Sequence, residues 1–209
     1  MRDVYLYDDC DVLKNLLNIK DLKQLNEAEA DYVTYRLKDI AINPLPGDYG
    51  YSHLLQMHQY LFQDIYEWAG QQRKLNIYKE EPVLGGLSID YSDVFDIPGD
   101  AEKVLTEMRL KPWQDMNTHE IAVHFSDSIA KLWRVHPFRE GNTRTTITFC
   151  CQYADSVGIK PDRELFENNA QYVRTALVAY NAIFKDLGDL SKTEYLIRIV
   201  EDSLLNRNR

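Results

Sequence analysis

The residues from His136 to Thr145 combine groups that could bind a polyphosphate and remove a proton beside it. Their order is His-Pro-Phe-Arg-Glu-Gly-Asn-Thr-Arg-Thr. His136 has the one side-chain type whose unperturbed pKa is near neutrality, so it is suited to accept a proton from an attacking hydroxyl. Glu140 offers carboxylate oxygens of the kind that Mg²⁺ prefers. The stretch therefore indicates phosphate chemistry assisted by a base and a divalent cation.

The turn inside this stretch is suited to bind an anion. Gly141 and Asn142 both tolerate positive φ, so the backbone can turn tightly and direct its N–H groups to one side. The helix expected next would present its free N–H groups and its positive dipole end to the same place. Arg139 and Arg144 supply guanidinium groups that pair with phosphate oxygens. Phe138 is expected to be a buried anchor of the turn.

Each of these residues also has an interpretation without catalysis. A histidine between a helix and a loop is often a core side chain. A carboxylate at the start of a helix is favoured by the dipole alone, and Arg144 taken singly would be a surface arginine in an ion pair. The combination of His136, Glu140, the Gly-Asn turn and Arg144 in one short stretch favours a functional site.

Helical periodicity on both sides of the stretch predicts the elements that must position it. Asn117 and Thr118 should cap the helix before it, and Gly158 should end the helix after it. Predicted helices cover residues 12–17, 21–42, 52–68, 101–110, 119–133, 145–157, 166–184 and 191–204. Predicted irregular segments cover residues 1–10, 43–48 and 96–100. These patterns favour the all-α class.

The segment 73–91 has a different composition. Lys-Leu-Asn-Ile-Tyr-Lys favours an extended strand, Glu-Glu-Pro-Val-Leu-Gly-Gly favours a turn, and Leu-Ser-Ile-Asp-Tyr favours a second strand. The segment is predicted to form a β-hairpin. An ordinary surface hairpin is the alternative to a functional one.

Length and composition limit the possible classes of protein. The chain has 209 residues, 44% hydrophobic and 27% charged, which fits one soluble globular domain over 1–209. Its net charge of −9 argues against a protein that coats nucleic acid. Three cysteines form no disulfide framework, and neither a signal peptide nor a transmembrane helix is indicated. We expect a cytoplasmic protein without membrane or direct nucleic-acid partners.

Three other histidines are expected to have no catalytic role. His119 and His124 flank Glu120 on one predicted helix, but an i, i+5 spacing puts the two rings on different faces. A zinc site of the H-E-x-x-H kind needs i, i+4, so zinc is rejected here. His58 is predicted to be structural.

The stretch resembles the signature of the Fic family, whose pattern is H-x-F-x-D/E-G-N-G-R-x-x-R. The matching positions are His136, Phe138, Glu140, Gly141, Asn142 and Arg144. Two positions differ, since Thr143 stands where Gly is usual and Ile147 stands where the last Arg is usual. The string from His58 to Gly70 also resembles a Fic helix. The resemblance as a whole covers about residues 11–200.

This resemblance implies a Fic-type helical bundle with a small β-hairpin flap, residues 73–91, over the active site. The implied activity is that of a protein adenylyltransferase, a nucleotidyltransferase that moves AMP from ATP to a Tyr, Thr or Ser hydroxyl (AMPylation). The target protein would dock along the flap, and the chain itself is a second candidate target. His136 would be the catalytic base, and Glu140 would hold Mg²⁺. The residues expected to bind ATP are Arg139, Gly141, Asn142, Thr143, Arg144, Lys79, Glu80, Asn168 and Tyr172.

The two departures keep other functions open. The related Doc branch has Lys at the place of Thr143 and transfers phosphate, so transfer of phosphate or of another phosphate-containing group is one alternative. The family's last Arg helps hold the γ-phosphate, so a nucleotide-binding, toxin-type interaction module with little catalysis is another. The last Arg is also the partner of an inhibitory glutamate in the motif S/T-x-x-x-E-G/N. That motif is absent from the sequence, which leaves a small antitoxin-like inhibitor as an open partner.

Overall fold

A computed structural model of the protein describes residues 3–205. Within them the helices are α1 (Leu22–Ile42), α2 (Tyr51–Phe62), α3 (Ile97–Arg109), α4 (Thr118–Val135), α5 (Asn142–Ser156), α6 (Arg163–Asn168), α7 (Ala170–Tyr180) and α8 (Glu194–Leu205). Two short antiparallel strands, β1 (Ile183–Phe184) and β2 (Gly188–Asp189), pair between α7 and α8. The predicted all-α class is confirmed. None of the described helices has both the length and the hydropathy needed to cross a bilayer.

Helix α4 is the central element of the bundle and packs against α3, α5, α7 and α8. It begins with the predicted cap, where Asn117 and Glu120 exchange side chain-to-backbone hydrogen bonds in a capping box. Such a cap stabilises a helix by about 1 kcal/mol. Phe125 and Ile129 are fully buried on its inner face. The C-terminal end of α4, which leads into the candidate site, is therefore held from several sides.

Helices α1 and α2 form a second layer that packs on α5 through α2. Asp21 caps α1 by accepting a hydrogen bond from the Gln24 N–H at 2.9 Å. Leu25, Val33 and Ile40 recur at helical spacing and bury one side of this helix. The layer places the α1 side chains next to the first turns of α5.

Several predicted helix boundaries are wrong. Residues 12–17 form no helix; Leu13 pairs instead with Leu6 in an isolated antiparallel bridge. Helix α2 ends at Phe62 and not at Trp68, because residues 63–70 form turns. Of the predicted arm over 1–10, residues 1 and 2 lie outside the described residues.

Two further predictions are corrected by local chemistry. Helix α3 begins at Ile97 and not at Ala101, since Pro98 fits the first turn of a helix, where its missing N–H costs nothing. The helix predicted over 166–184 is divided into α6, α7 and β1, with a break at Asn169.

Residues 73–91, called the flap from here on, do not form a β-hairpin. The flap contains one 3₁₀ turn, Pro82–Leu84, and no strand. The Glu81 N–H donates to the Leu87 carbonyl at 3.1 Å, so the chain does reverse as predicted. Between these residues the 3₁₀ turn and the left-handed Gly85 and Gly86 widen the reversal, and no ladder follows. The only two-stranded pairing among the described residues is β1 with β2.

Candidate active site

His136 lies where α4 ends and is covered by the flap. Its backbone is left-handed, with φ 51° and ψ 58°, a conformation uncommon for a residue other than glycine. The residue is only 3% exposed. Its ring lies 4.1 Å from the ring of Tyr91 in the flap and 5.3 Å, edge to face, from that of Trp133.

The hydrogen bonds of His136 define which ring nitrogen can act as a base. Nδ1 lies 3.2 Å from the Trp133 carbonyl oxygen. A carbonyl oxygen only accepts, so this contact assigns the proton to Nδ1 and leaves the lone pair on Nε2. Nε2 is buried and has no hydrogen-bond partner among the described residues. Burial, assisted by the nearby charge of Lys79, lowers the pKa of His136 well below its ordinary value.

The turn after His136 is closed by the side chain of Asn142. Its Oδ1 accepts from the Phe138 N–H at 2.9 Å, and its Nδ2 donates to the Phe138 carbonyl at 2.8 Å. Asn142 is 2% exposed. The side chain expected to bind nucleotide thus holds the shape of the turn.

Gly141 meets both a conformational and a steric requirement. Its φ of 81° is in the left-handed region, and a Cβ there would come within 2.4 Å of Cζ of Phe62. Helix α5 begins at the next residue, so its first N–H groups, which lack intrahelical acceptors, lie at this turn. The turn and the helix end together form an anion-binding geometry.

Glu140 is an ionised carboxylate at the same turn. Its Oε1 accepts from the Gly141 N–H at 3.0 Å, and its Oε2 lies 3.1 Å from Nζ of Lys79 in the flap. Burial opposes ionisation, but these two positive partners outweigh it and lower the pKa of Glu140 to about 2. The side chain remains 35% exposed.

His58 supports the turn from beneath. Its Nδ1 accepts from the Gly70 N–H at 2.8 Å, so its Nε2 carries the proton that is donated to the Glu140 carbonyl at 3.1 Å. Its ring is stacked on that of Phe138 at 3.8 Å. Burial lowers the pKa of His58 to about 3. This histidine therefore acts as a neutral spacer between α2 and the turn.

The two arginines of the turn have different partners. Arg144 makes an ion pair with Glu29 of α1, and its guanidinium lies over the Phe62 ring at 4.8 Å. Arg139 pairs at 2.7 Å with Asp3, in the segment before α1. Only Arg144 is thus fixed beside the start of α5.

The structure brings Thr143 and Lys79 to the turn but leaves other predicted ligands apart from it. Thr143 Oγ1 accepts from Nε1 of Trp133 at 2.9 Å. Glu80 is exposed, and Asn168 is exposed at the end of α6. Tyr172 donates to the Tyr195 carbonyl. Among the described residues, no hydrogen bond joins these last three predicted ligands to residues 136–144.

Sequence reasoning missed the residues that hold the flap closed. Glu81, 1% exposed, accepts two hydrogen bonds from Arg174 of α7, at 2.7 and 2.9 Å. At the base of the flap, the buried Arg73 donates to the His136 carbonyl at 2.9 Å. Glu81 and Arg174 are 93 residues apart, and no local pattern links them. The alternation of side-chain directions along an extended chain was the one signal available for finding Glu81. It places Lys79 and Glu81 on the same side of the flap and Glu80 on the opposite, exposed side.

Ile147 lies one turn after Arg144, at the place where the resembling family has its last arginine. It is half-buried and lines an apolar cavity of about 270 Å³ between α1, α5 and the α6–α7 pair. Arg144 and Thr143 line the end of this cavity next to the turn. The side chain at position 147 is therefore apolar where the pattern would place a cation, while Lys38 and Arg163 line other parts of the same cavity.

A family model described as the Fic/DOC family matches residues 48–154, which is just over half of the chain. The matched range runs from α2 through the flap and α4 to the end of the turn and most of α5. The chain belongs to the Fic/DOC family. The resemblance inferred from residues 136–144 is confirmed.

Curated relatives of this Fic-family chain are named as adenylyltransferases. It is 27% identical over 179 residues to protein adenylyltransferase VbhT of Bartonella schoenbuchensis, which covers 85% of this chain and 36% of VbhT. It is 40% identical over 78 residues to probable protein adenylyltransferase Fic of Escherichia coli, 37% of this chain and 38% of that protein. It is 29% identical over 170 residues to probable protein adenylyltransferase y4lH of Sinorhizobium fredii, and this match covers 80% of this chain and 83% of y4lH. The chain thus spans little more than a third of VbhT and of the E. coli protein.

Solved Fic domains share the fold. The N-terminal FIC domain of Bep8 from Bartonella sp. 1-1C superposes with a TM-score of 0.78 at 22% identity, covering 97% of this chain and 95% of that one. BepC from Bartonella tribocorum, with bound AMPPNP, gives a TM-score of 0.77 at 22% identity and covers 95% of both chains. At this identity the similarity establishes the fold alone.

Proposed function

We propose that this chain is a protein adenylyltransferase that transfers AMP from ATP to a Tyr, Thr or Ser hydroxyl of a target protein. The observation that carries the proposal is the neutral, buried His136, whose Nε2 has no partner among the described residues and which begins the turn that leads into α5. The printed names of VbhT and y4lH support this activity, as does the AMPPNP bound to BepC.

The nucleotide phosphates would bind at the Gly141 turn. The free N–H groups at the start of α5 and the guanidinium of Arg144 provide the positive potential. Both are fixed before the ligand arrives, because Asn142 closes the turn and Glu29 holds Arg144. Groups placed in advance stabilise the charge that develops on the transferring phosphoryl group.

Glu140 fits the role of the single protein ligand of Mg²⁺. Its carboxylate is ionised, partly exposed and already neutralised by the Lys79 ammonium. No group of three or more acidic, His or Cys side chains in the described chain could hold a metal by itself. One carboxylate together with substrate phosphates is a usual Mg²⁺ arrangement. When bound, the ion would neutralise charge on the phosphates.

His136 would remove the proton of the target hydroxyl. Nε2 accepts this proton as the hydroxyl oxygen attacks the α-phosphorus and forms the new P–O bond. The bond between the α-phosphorus and its bridging oxygen breaks, and pyrophosphate leaves with the electron pair. The product is the AMP ester of the target side chain, with the proton on the imidazole.

We place the target along the flap. Tyr78, Val83 and Leu87 expose 68%, 52% and 39% of their surface there, which offers apolar contacts to a polypeptide. Since Tyr91 covers the His136 ring, the flap has to shift before a hydroxyl reaches Nε2. Self-modification and a small antitoxin-like inhibitor stay predictions.

A nucleotide-binding module with little catalysis is a second candidate, favoured by Ile147. The apolar side chain leaves the distal phosphates without the second guanidinium of the family pattern. This candidate predicts ATP binding without transfer.

Radiolabelled ATP distinguishes these functions. When ATP carries the label at its α-phosphate, proteins in a lysate that contains the potential targets should become labelled after incubation with wild type. They should stay unlabelled after incubation with His136→Ala. His124→Ala, inside α4 and hydrogen-bonded to Lys111, is the matched control and should retain activity. Protein label from γ-labelled ATP that requires His136, with none from α-labelled ATP, would establish phosphate transfer. Binding without label from either position would establish the module.

We also propose a reducing compartment such as the cytoplasm as the place of action. Cys150 and Cys151 are buried free thiols next to each other in α5, and Cys10 is a third free thiol. Burial raises the pKa of Cys151 to about 12, so it stays protonated and unreactive.

A further inference from the structure

A buried carboxylate of α1, that of Glu29, holds Arg144 in the first turn of α5. Glu29 is 8% exposed, and its Oε1 pairs with Nη2 of Arg144. Its other oxygen, Oε2, accepts a hydrogen bond from the Tyr66 hydroxyl. Both oxygens of Glu29 are thus engaged, one on each side.

We propose that Glu29 is a positioning residue for the nucleotide, which acts by holding Arg144 in a phosphate-binding orientation. The inference deepens the proposed function, on which it rests. Glu29 itself touches no reacting atom; its effect passes through the guanidinium.

The contact leaves Arg144 able to bind a ligand. A guanidinium has five N–H donors in a fixed plane, and the ion pair with Glu29 uses Nη2. No other group in the described chain hydrogen-bonds to Arg144, and its side chain is 34% exposed. The remaining donors are free for phosphate oxygens while the charge is held from behind.

Phe62 fixes the same guanidinium relative to the turn. The ring lies 4.8 Å from the Arg144 guanidinium carbon and also packs directly against Gly141. A shift of the Arg144 guanidinium along α5 would therefore either break its contact with the Phe62 ring or move the ring and disturb the turn. The ring and Glu29 together define the position of the guanidinium from two sides.

Glu29 is better suited to anchor Arg144 than to block it. It lies inside α1, two turns from the N-terminus, and its second oxygen is tied to Tyr66, which is itself 2% exposed. A carboxylate held in this way cannot follow the guanidinium outward, nor be displaced by phosphate without breaking a buried hydrogen bond. It behaves as part of the frame.

The departure at Ile147 makes this anchoring more consequential. Arg144 is the only cationic residue of α5, Asn142–Ser156. A nucleotide whose phosphates contact one guanidinium depends on the orientation of that group more than a nucleotide whose phosphates contact two guanidinium groups.

Calorimetric titration with AMPPNP and Mg²⁺ tests the inference without requiring transfer. Glu29→Gln keeps the side-chain volume and should weaken binding about tenfold, the usual scale for losing one charge-assisted hydrogen bond. In the Arg144→Ala background the same change should have no further effect, because Glu29 acts through Arg144.

Asp64→Asn is the matched control. Asp64 makes a two-bond ion pair with Arg36, at 2.7 and 2.9 Å, that also joins α1 to the segment after α2. This variant should bind AMPPNP like wild type, and thermal unfolding checks that all variants are folded.

Three outcomes would overturn the positioning role of Glu29. Unchanged binding by Glu29→Gln would show that Arg144 needs no anchor, and tighter binding would show that Glu29 blocks the site. Additive losses in the double variant would show that Glu29 acts elsewhere. Binding by wild type without AMP transfer to any protein would refute the proposed function but leave the positioning role of Glu29 intact.

Discussion

At the scale of single residues, the candidate site is built around a histidine kept neutral by its surroundings. His136 is buried under Tyr91, with Nδ1 committed to the Trp133 carbonyl. A buried, unpartnered Nε2 costs about 1–3 kcal/mol relative to a hydrogen-bonded one. Such a cost is expected where a substrate group completes the hydrogen bond.

Three buried histidines should make stability depend on pH. Burial lowers the pKa of His53, lowers that of His58 to about 3 and lowers that of His136 well below its ordinary value. All three would titrate near 6.5 in the unfolded chain, which therefore binds more protons as the pH falls below that value. The free energy of unfolding should decrease from about pH 7 to about pH 5, by at most ~1.4 kcal/mol per pH unit for each histidine. Urea unfolding across this range measures it.

His136→Ala should show a shallower decrease than wild type, since one proton fewer is taken up on unfolding. Gln63→Ala, at an exposed position without a titratable group, is the control and should keep the wild-type slope. Equal slopes for His136→Ala and wild type would mean that His136 is not held neutral. The Glu140 carboxylate, with its pKa of about 2, adds stability that is lost only in stronger acid.

At the scale of single residues, the sequence predicts those candidate site residues that lie in one short stretch of the chain. His136, Glu140, Gly141 and Arg144 are recognisable because their chemistry is contained in one stretch. Their partners are not recognisable: Glu29 is 115 residues from Arg144 and looks like any helix-surface carboxylate. Only packing of α1 beside α5 reveals it.

At the scale of elements, the helix–turn–helix from α4 to α5 carries the candidate site, and the flap covers it. The caps of α4 were predictable, since Asn117 and Glu120 form a local pattern. The flap was predictable in its position over the site but not in its structure. Side-chain contacts to α7 and to the turn hold it, where the sequence predicted a β-ladder.

Arg174→Ala should loosen the flap. It leaves the carboxylate of Glu81, 1% exposed, without its ion-pair partner, and a buried polar group left unsatisfied in this way costs about 1–3 kcal/mol. The flap should respond by opening so that Glu81 reaches water. Amide hydrogen exchange over residues 79–88 should therefore accelerate at least ~10-fold.

Arg163→Ala is the control for this prediction, because Arg163 pairs with Asp155 away from the flap. Exchange over 79–88 should be unchanged in that variant. If Arg174→Ala and Arg163→Ala exchange alike, the Glu81–Arg174 pair does not hold the flap.

The wrong helix boundaries also have physical causes. Residues 12–17 have helical spacing, but Val12 and Leu13 bury their side chains through an antiparallel bridge. The pattern over 166–184 continues across Asn169, although the backbone there leaves helical geometry, with φ −118° and ψ 28°. Periodicity reports which faces are apolar and does not report such interruptions.

At the scale of the whole molecule, segments distant in sequence converge on the turn between α4 and α5. Asp3 reaches Arg139, α1 supplies Glu29, α2 supplies His58 and Phe62, and the flap supplies Lys79. The family membership and the all-α fold were accessible from the sequence and are confirmed. The single domain over 1–209 stays a prediction. The convergence itself required tertiary structure.

The most direct test of the account is the intact mass of target and enzyme after incubation with ATP and Mg²⁺, for wild type and for His136→Ala. The account predicts that wild type adds the mass of one AMP to a protein, the target or the chain itself, and that His136→Ala adds none while remaining folded. An equal gain of AMP with His136→Ala would contradict the assignment of the base. A gain of the mass of phosphate in place of AMP would contradict the proposed transfer.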